Sequence, residues 1–106
     1  MVNFEDFKKL EIKIGKVLNA KKVEDADKLL KLEVEFSSEK RQIISGIAEF
    51  YKPEDLVGKE FPFIVNLEPR TIRCLESQGM ILAVDTGESV VLLNPDKEVP
   101  PGSIIR

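Results

Sequence analysis

Between two apolar runs, FPFIV and ILAV, the chain places NLEPRTIRCLESQGM, residues 66–80. Two arginines, an asparagine, a glutamine and a methionine crowd into a connection that is long for a hairpin link. Excursions of this kind, held by a scaffold, are where function concentrates. Arg70 and Arg73 bring forked, permanently charged donors that match phosphate oxygens. Two such groups within four residues of one loop favour binding over packing.

Other chemistry is excluded by what is missing. The chain has no histidine and a single cysteine, Cys74. That removes the usual zinc spacings, every Ser-His or Cys-His arrangement and the commonest general base. There is no GxxxxGK[ST] or GxGxxG loop, and the acidic residues form no paired-carboxylate motif. No enzyme, metal or cofactor is expected. The net charge of −3 is the wrong sign for indiscriminate nucleic-acid binding, but lysines crowd the first third, from Lys8 to Lys31. A lysine-rich strand can still make a local positive face on an acidic protein, or simply a solubilising edge. No run approaches a membrane span, the N-terminus lacks a signal-peptide pattern, and one unpaired cysteine suits a reducing compartment. A cytoplasmic address with no membrane partner is expected.

The elements that must hold residues 66–80 are readable from periodicity. Asn3 can cap a short helix carrying Phe4 and Phe7 on one face. LEIKI alternates, Gly15 breaks the alternation, and Val17 resumes it with opposite parity. A long strand bent by a bulge, reaching about Ala20, is predicted. VEDADK reads as a turn. LLKLEVEF alternates with Leu30, Leu32, Val34 and Phe36 inward. SSEK is a hairpin turn and RQIIS a third strand ending at Gly46. IAEFYKPEDLVG reads as a short helix closed by Gly58, with Pro53 opening its second turn. EFPFIV and MILAV are the fourth and fifth strands, and VVLL and a proline-stiffened tail follow. Length and composition fit one domain over residues 1–106, with a barrel over about 10–85 and terminal elements at 3–9 and 90–106. The order β-β-β-α-β-β is that of the all-β, five-stranded OB-fold barrel.

With the elements in place, GKVLNAKKVEDADKLLKLEVEF, RQIISGIAEFYKPEDLVGKEFPFIVNLEPR, IRCLESQGMILAV and VVLLNPDKEVPPGS together resemble one family, the structure-specific tRNA-binding domain of the OB class. Its members stand alone as dimers or are appended to methionyl-tRNA synthetases and related factors. The resemblance covers nearly the whole chain. It implies shape-specific binding of the tRNA corner, in trans with an aminoacyl-tRNA synthetase of the methionyl type. Carried over by position, the binding residues are Lys28, Ser45, Asn66, Arg70, Arg73, Ser77, Gln78 and Met80. Asn66, Ser77 and Gln78 would hydrogen-bond sugar hydroxyls or base edges, and Met80 would lie on a base face. Asn66 equally suits a structural strand end, Met80 a core position and Ser45 a turn, while Gly79 and Tyr51 read as structural.

The chain departs from the family's usual form. Glu68 and Thr71 stand where basic residues are common, and Cys74 replaces a glycine. Val23 and Glu24 replace a frequent His-Pro pair. Weaker phosphate attraction follows. A second reading is polypeptide binding, because dimeric export-related chaperones share the fold, the length and a tail like VVLLNPDKEVPPG; the ESQGM segment favours tRNA. A third is a structural dimerisation subunit. A homodimer is expected in any case. Phe4, Phe7, Leu92, Leu93, Ile104 and Ile105 have no evident place in a five-stranded barrel and would form an exposed apolar patch.

Overall fold

The computed structural model describes residues 1–106. A five-residue helix, α1 (Phe4–Lys8), opens the chain, and Asn3 caps it by accepting from the Asp6 N–H at 2.8 Å. Four long strands follow: β1 (Ile12–Val23), β2 (Ala26–Phe36), β3 (Glu39–Ser45) and β4 (Glu60–Ile64). Six short ones complete the fold: β5 (Arg70–Ile72), β6 (Leu75–Ser77), β7 (Met80–Ile81), β8 (Ala83–Asp85), β9 (Val90–Leu92) and β10 (Ile104–Ile105). The main sheet is antiparallel in the order β3-β2-β1-β4-β7, the strand order of an OB barrel, with β7 in the place of the fifth strand.

Alternation along β2 drives Leu30, Leu32, Val34 and Phe36 into the interior, as the sequence predicts. They meet Val17, Ile43, Phe61 and Phe63, and the Phe36 and Phe63 rings pack edge to face at 5.4 Å. The parity change in β1 has a different origin from the predicted bulge at Gly15. The register runs unbroken through Gly15 opposite Phe61, and the extra residue falls between Val17 and Asn19. Gly15 is needed because a Cβ there would collide with Val34 and Phe36. Ile12 and Ile14 are buried outside that core, on the opposite face of the strand. The tail covers this end of β1. Ile14 donates to Ser103 O at 2.8 Å and accepts from Gly102 N at 2.7 Å, and β10 pairs with Ile12 and Lys13.

The predicted helix between the third and fourth strands does not form. The Tyr51 N–H reaches Ile47 O at 3.0 Å, closing one turn, and then Lys52 adopts an extended φ of −83° and ψ of 145°. Proline at 53 disfavours helical geometry at the residue before it, so only a single 3₁₀ turn, Pro53–Asp55, follows. This segment still seals one end of the barrel through Ile47 and Leu56, both buried in the core. Tyr51 is half-buried, and its hydroxyl accepts from the Leu92 N–H at 3.0 Å.

Candidate functional site

The excursion after β4 is not irregular. Its middle folds into a small hairpin in which Arg70 pairs with Ser77, Thr71 with Glu76 and Ile72 with Leu75. Arg73 and Cys74 form the turn, with φ of 52° and 65°. Positive φ at both central residues is the requirement of a type I′ turn, whose twist matches that of the flanking strands. Neither residue is of the type that usually supplies it. This hides the hairpin in the sequence.

The hairpin projects its charges outward. Arg70, Arg73 and Lys28 are exposed, and none has a carboxylate within ion-pair distance. Its tip faces the β1–β2 turn across an open groove of 460 Å³ lined by Asp25, Asp27, Lys28, Ile72 and Arg73. Beneath the hairpin a smaller hollow of 40 Å³ brings Arg70 and Met80 together over Ile44, Leu67 and Ile72. Met80 is 41% exposed, so of its two readings the core position is the wrong one. Two phosphate-seeking groups and an apolar side chain thus share a surface that a polyanion can approach.

Of the other predicted contact residues, Ser77, Gln78 and Asn66 spend polar side-chain atoms on the protein itself, although Asn66 stays exposed. The Ser77 hydroxyl is buried, accepting from the Ile44 N–H at 2.9 Å and donating to Gly79 O at 3.0 Å. Gln78 spans the free edge of β3 twice: its N–H donates to Gln42 O at 2.8 Å and its Oε1 accepts from Gln42 N at 3.0 Å. Together these bonds join β3 to the segment before β7 without a regular ladder. They close the barrel. The Asn66 amide is also occupied, accepting from Glu11 N at 2.8 Å and donating to Lys9 O at 2.6 Å. Nε2 of Gln78 is left without an internal partner. Ser45 lies half-buried opposite Leu30, and its hydroxyl makes no hydrogen bond.

Three residues that sequence reasoning passes over complete this clasp. Arg41 donates from one guanidinium nitrogen to Val65 O and to Gln78 O, the carbonyls at the two feet of the excursion. Glu39 holds the opposite side of the guanidinium, 3.1 Å from Nη2 and 3.2 Å from Nε. The Gln42 amide donates to Glu76 O at 2.8 Å. The signal for Arg41 is its parity: it shares the inward register of Ile43 and pairs with buried Val34, an unusual place for a guanidinium with nothing to bind.

The expected interface residues separate as well. Phe4 and Ile104 are each 68% exposed, and Phe7, Leu93 and Ile105 are also open to solvent. Leu92 is not, at 9%; it packs in the chain's own core, where β9 lies against Tyr51. A hollow of 310 Å³ joins Phe4, Phe7, Leu10, Ile104 and Ile105 at the end where α1 and β10 meet. No helix is long and apolar enough to cross a membrane.

An OB barrel bearing a cationic hairpin over one end of its sheet defines a class of nucleic-acid-binding module. Residues 12–104 match the family described as a putative tRNA binding domain, and the chain belongs to that family. It is 53% identical over 106 residues to a methionine–tRNA ligase of Methanoregula boonei and 47% identical over 105 residues to that of Pyrococcus horikoshii. It covers 100% and 99% of itself in these matches but spans only 16% and 14% of those enzymes. Among solved structures it is similar to a MetRS related protein from Pyrococcus horikoshii, with a TM-score of 0.96 and 39% identity over 100% of this chain and 98% of that one. It is also similar to the chaperone CsaA of Bacillus anthracis, with a TM-score of 0.91 and 34% identity over 100% and 99% of the two chains.

Proposed function

We propose that the chain is a non-catalytic tRNA-binding module that works in trans with a methionyl-tRNA synthetase in the cytoplasm. The carrying observation is the set of unpaired cations, Lys28, Arg70 and Arg73, around the open face of the hairpin. Phosphate contacts from such groups fix position on a folded RNA without reading its sequence, and Met80 adds an apolar contact. Similarity to synthetases named for methionine supports the choice of partner. A second weak site on the same assembly raises tRNA avidity by effective concentration, about 100-fold or more.

The module acts as a homodimer in this reading. The hollow at the α1–β10 end is apolar and two-sided, and a two-fold interface would cover it on both chains at once. Polypeptide binding is the competing reading, supported by the likeness to CsaA. Titrating deacylated tRNA and a reduced, unfolded polypeptide into the same protein separates the two. Salt-dependent binding of tRNA alone supports the proposal, and binding of polypeptide alone overturns it. Sedimentation at micromolar concentration tests the dimer, and a monomer there removes it.

A further inference from the structure

One buried charge takes no part in the hairpin site. Glu60 is 7% exposed, and alternation along β4 puts it on the face away from Phe61 and Phe63, outside the hydrophobic core. The tail, residues 94–106, is bonded to it there. The Val99 N–H donates to Glu60 Oε1 at 3.0 Å, and the Asn94 side-chain amide donates to Glu60 O at 3.0 Å. Glu60 Oε2 is buried without a partner. Lys16 stands directly opposite in the β1–β4 pairing and Lys59 precedes it in the chain, yet neither forms an ion pair with it. A polar groove of 380 Å³ at this place is lined by Glu60, both lysines, Asn94, Pro95 and Glu98 among others.

A carboxylate with one unpaired oxygen is costly to bury. Detaching the tail would return Glu60 to water while the barrel strands stay paired. Docking of the tail is therefore held by a charge-assisted bond and opposed by the desolvation of Oε2. That bond sits where the chain is stiffest. Pro100 and Pro101 follow Val99, each with its φ fixed by the ring, and Pro100 restricts Val99 in turn. Beyond them the Ser37 N–H donates to Pro101 O at 2.9 Å, and the Gly102 N–H donates to Ile14 O at 2.7 Å. The Ile14 N–H donates to Ser103 O at 2.8 Å, and β10 pairs with Ile12 and Lys13. These are all backbone bonds. Glu60 is the one barrel residue whose side chain hydrogen-bonds the tail.

We infer that Glu60 is the latch of a tail strap: its carboxylate seats Val99, and the rigid Pro100–Pro101 pair carries that placement to β10. Ile104 and Ile105 of β10 form one wall of the apolar hollow, and Glu60 does not line that hollow. Glu60 is thus a positioning residue. It acts on the hollow only through the tail, and the strap opens more readily than the barrel does. The consequence for assembly rests on the homodimer reading: self-association then depends on a carboxylate outside the contact surface. The latch itself makes a separate demand, on the protection of the tail's backbone bonds in a single chain.

The test compares the parent chain with E60A, E60Q and P100G/P101G. Amide hydrogen exchange is read at Ile14 and Gly102, which bond across to the tail, and at Gln78, whose N–H donates to Gln42 O at the far seam of the barrel. Sedimentation over a concentration series reads self-association of the same samples. In E60A, which leaves the Val99 N–H without its acceptor, exchange at Ile14 and Gly102 is expected to quicken at least 10-fold while Gln78 keeps its protection. Its dimer should dissociate at least 10-fold more readily than the parent's. E60Q keeps an oxygen for Val99 and should behave as the parent in both measurements. P100G/P101G keeps the Glu60 bond and loses the stiff link, so Ile14 and Gly102 should again exchange faster. Parent-like exchange at Ile14 and Gly102 in E60A overturns the latch. An equal loss of protection at Gln78 makes Glu60 a support of the whole barrel and overturns it too. Parent-like exchange in P100G/P101G overturns transmission through the prolines. A parent that sediments as a monomer overturns the dimer reading and the link to assembly, and the exchange data still decide the latch.

Discussion

Residues 66–80 contain two regions built from the same kinds of side chain and used in opposite ways. On the outward side, the side chains of Arg73, at the turn, and Arg70, on the rung of Ser77, make no internal hydrogen bond or ion pair and face solvent. At the feet, Asn66, Ser77 and Gln78 commit their polar atoms to backbone groups of α1's flank and β3, and Arg41 ties the two feet together. Polar residues in a binding loop therefore do not all bind. A short polar side chain that replaces a missing ladder bond is as necessary to the loop as the charge it presents, and a substitution in either region would weaken binding for unrelated reasons.

The sharpest separation comes from the feet. Gly79 has a φ of 155°, and a Cβ there would lie 2.9 Å from Ile64 O and from Ile43 Cδ1. Gly79→Ala should cost about 3 kcal/mol of stability, from strain and overpacking at the barrel seam; chemical denaturation measures it, and a variant as stable as the parent would show that the seam is loose. Ser77→Ala leaves the Ile44 N–H buried and unpaired, for a loss of about 2 kcal/mol. Its folded fraction should bind tRNA as the parent does, and a selective loss of affinity in a fully folded sample would return Ser77 to the contact surface.

At the two outward arginines the effects move from stability to affinity. Arg70→Ala and Arg73→Ala should each weaken tRNA binding by about 1 kcal/mol while stability changes by less than about 0.5 kcal/mol. Calorimetric titration beside thermal melting reads both quantities. Cys74→Gly runs the other way. It relieves a non-glycine residue at φ of 65° and should stabilise the fold by about 0.5–1 kcal/mol, with tRNA affinity unchanged. A destabilised Cys74→Gly variant would mean that the side chain packs rather than strains.

The barrel strands are legible in the sequence because burial on one face imposes alternation, and β2 shows it from Leu30 to Phe36. The helix expected between β3 and β4 fails because turn-forming and helix-opening residues look alike until the chain is closed over a core; Pro53 acts on Lys52 before it, rather than starting a turn that continues. The β5–β6 hairpin is invisible for lack of Asn-Gly or Asp-Gly at its turn. The site is half legible. Residue type identifies what Arg70 and Ser77 can bond to, but which partner is used depends on the unpaired edge of β3, a property of the assembled sheet. Leu92 escapes sequence reasoning on similar grounds, since an apolar residue after the fifth strand is core or surface depending on where the tail returns.

The central claim is that the two outward arginines grip and the inner polar residues hold. Its most direct test is the Arg70→Ala/Arg73→Ala double variant, titrated with deacylated tRNA beside a thermal melt of the same sample. The account predicts a melting temperature equal to the parent's and affinity weaker by about 30-fold, the sum of two independent contacts of about 1 kcal/mol each. A double variant that binds tRNA as the parent does, or that melts well below it, contradicts the account.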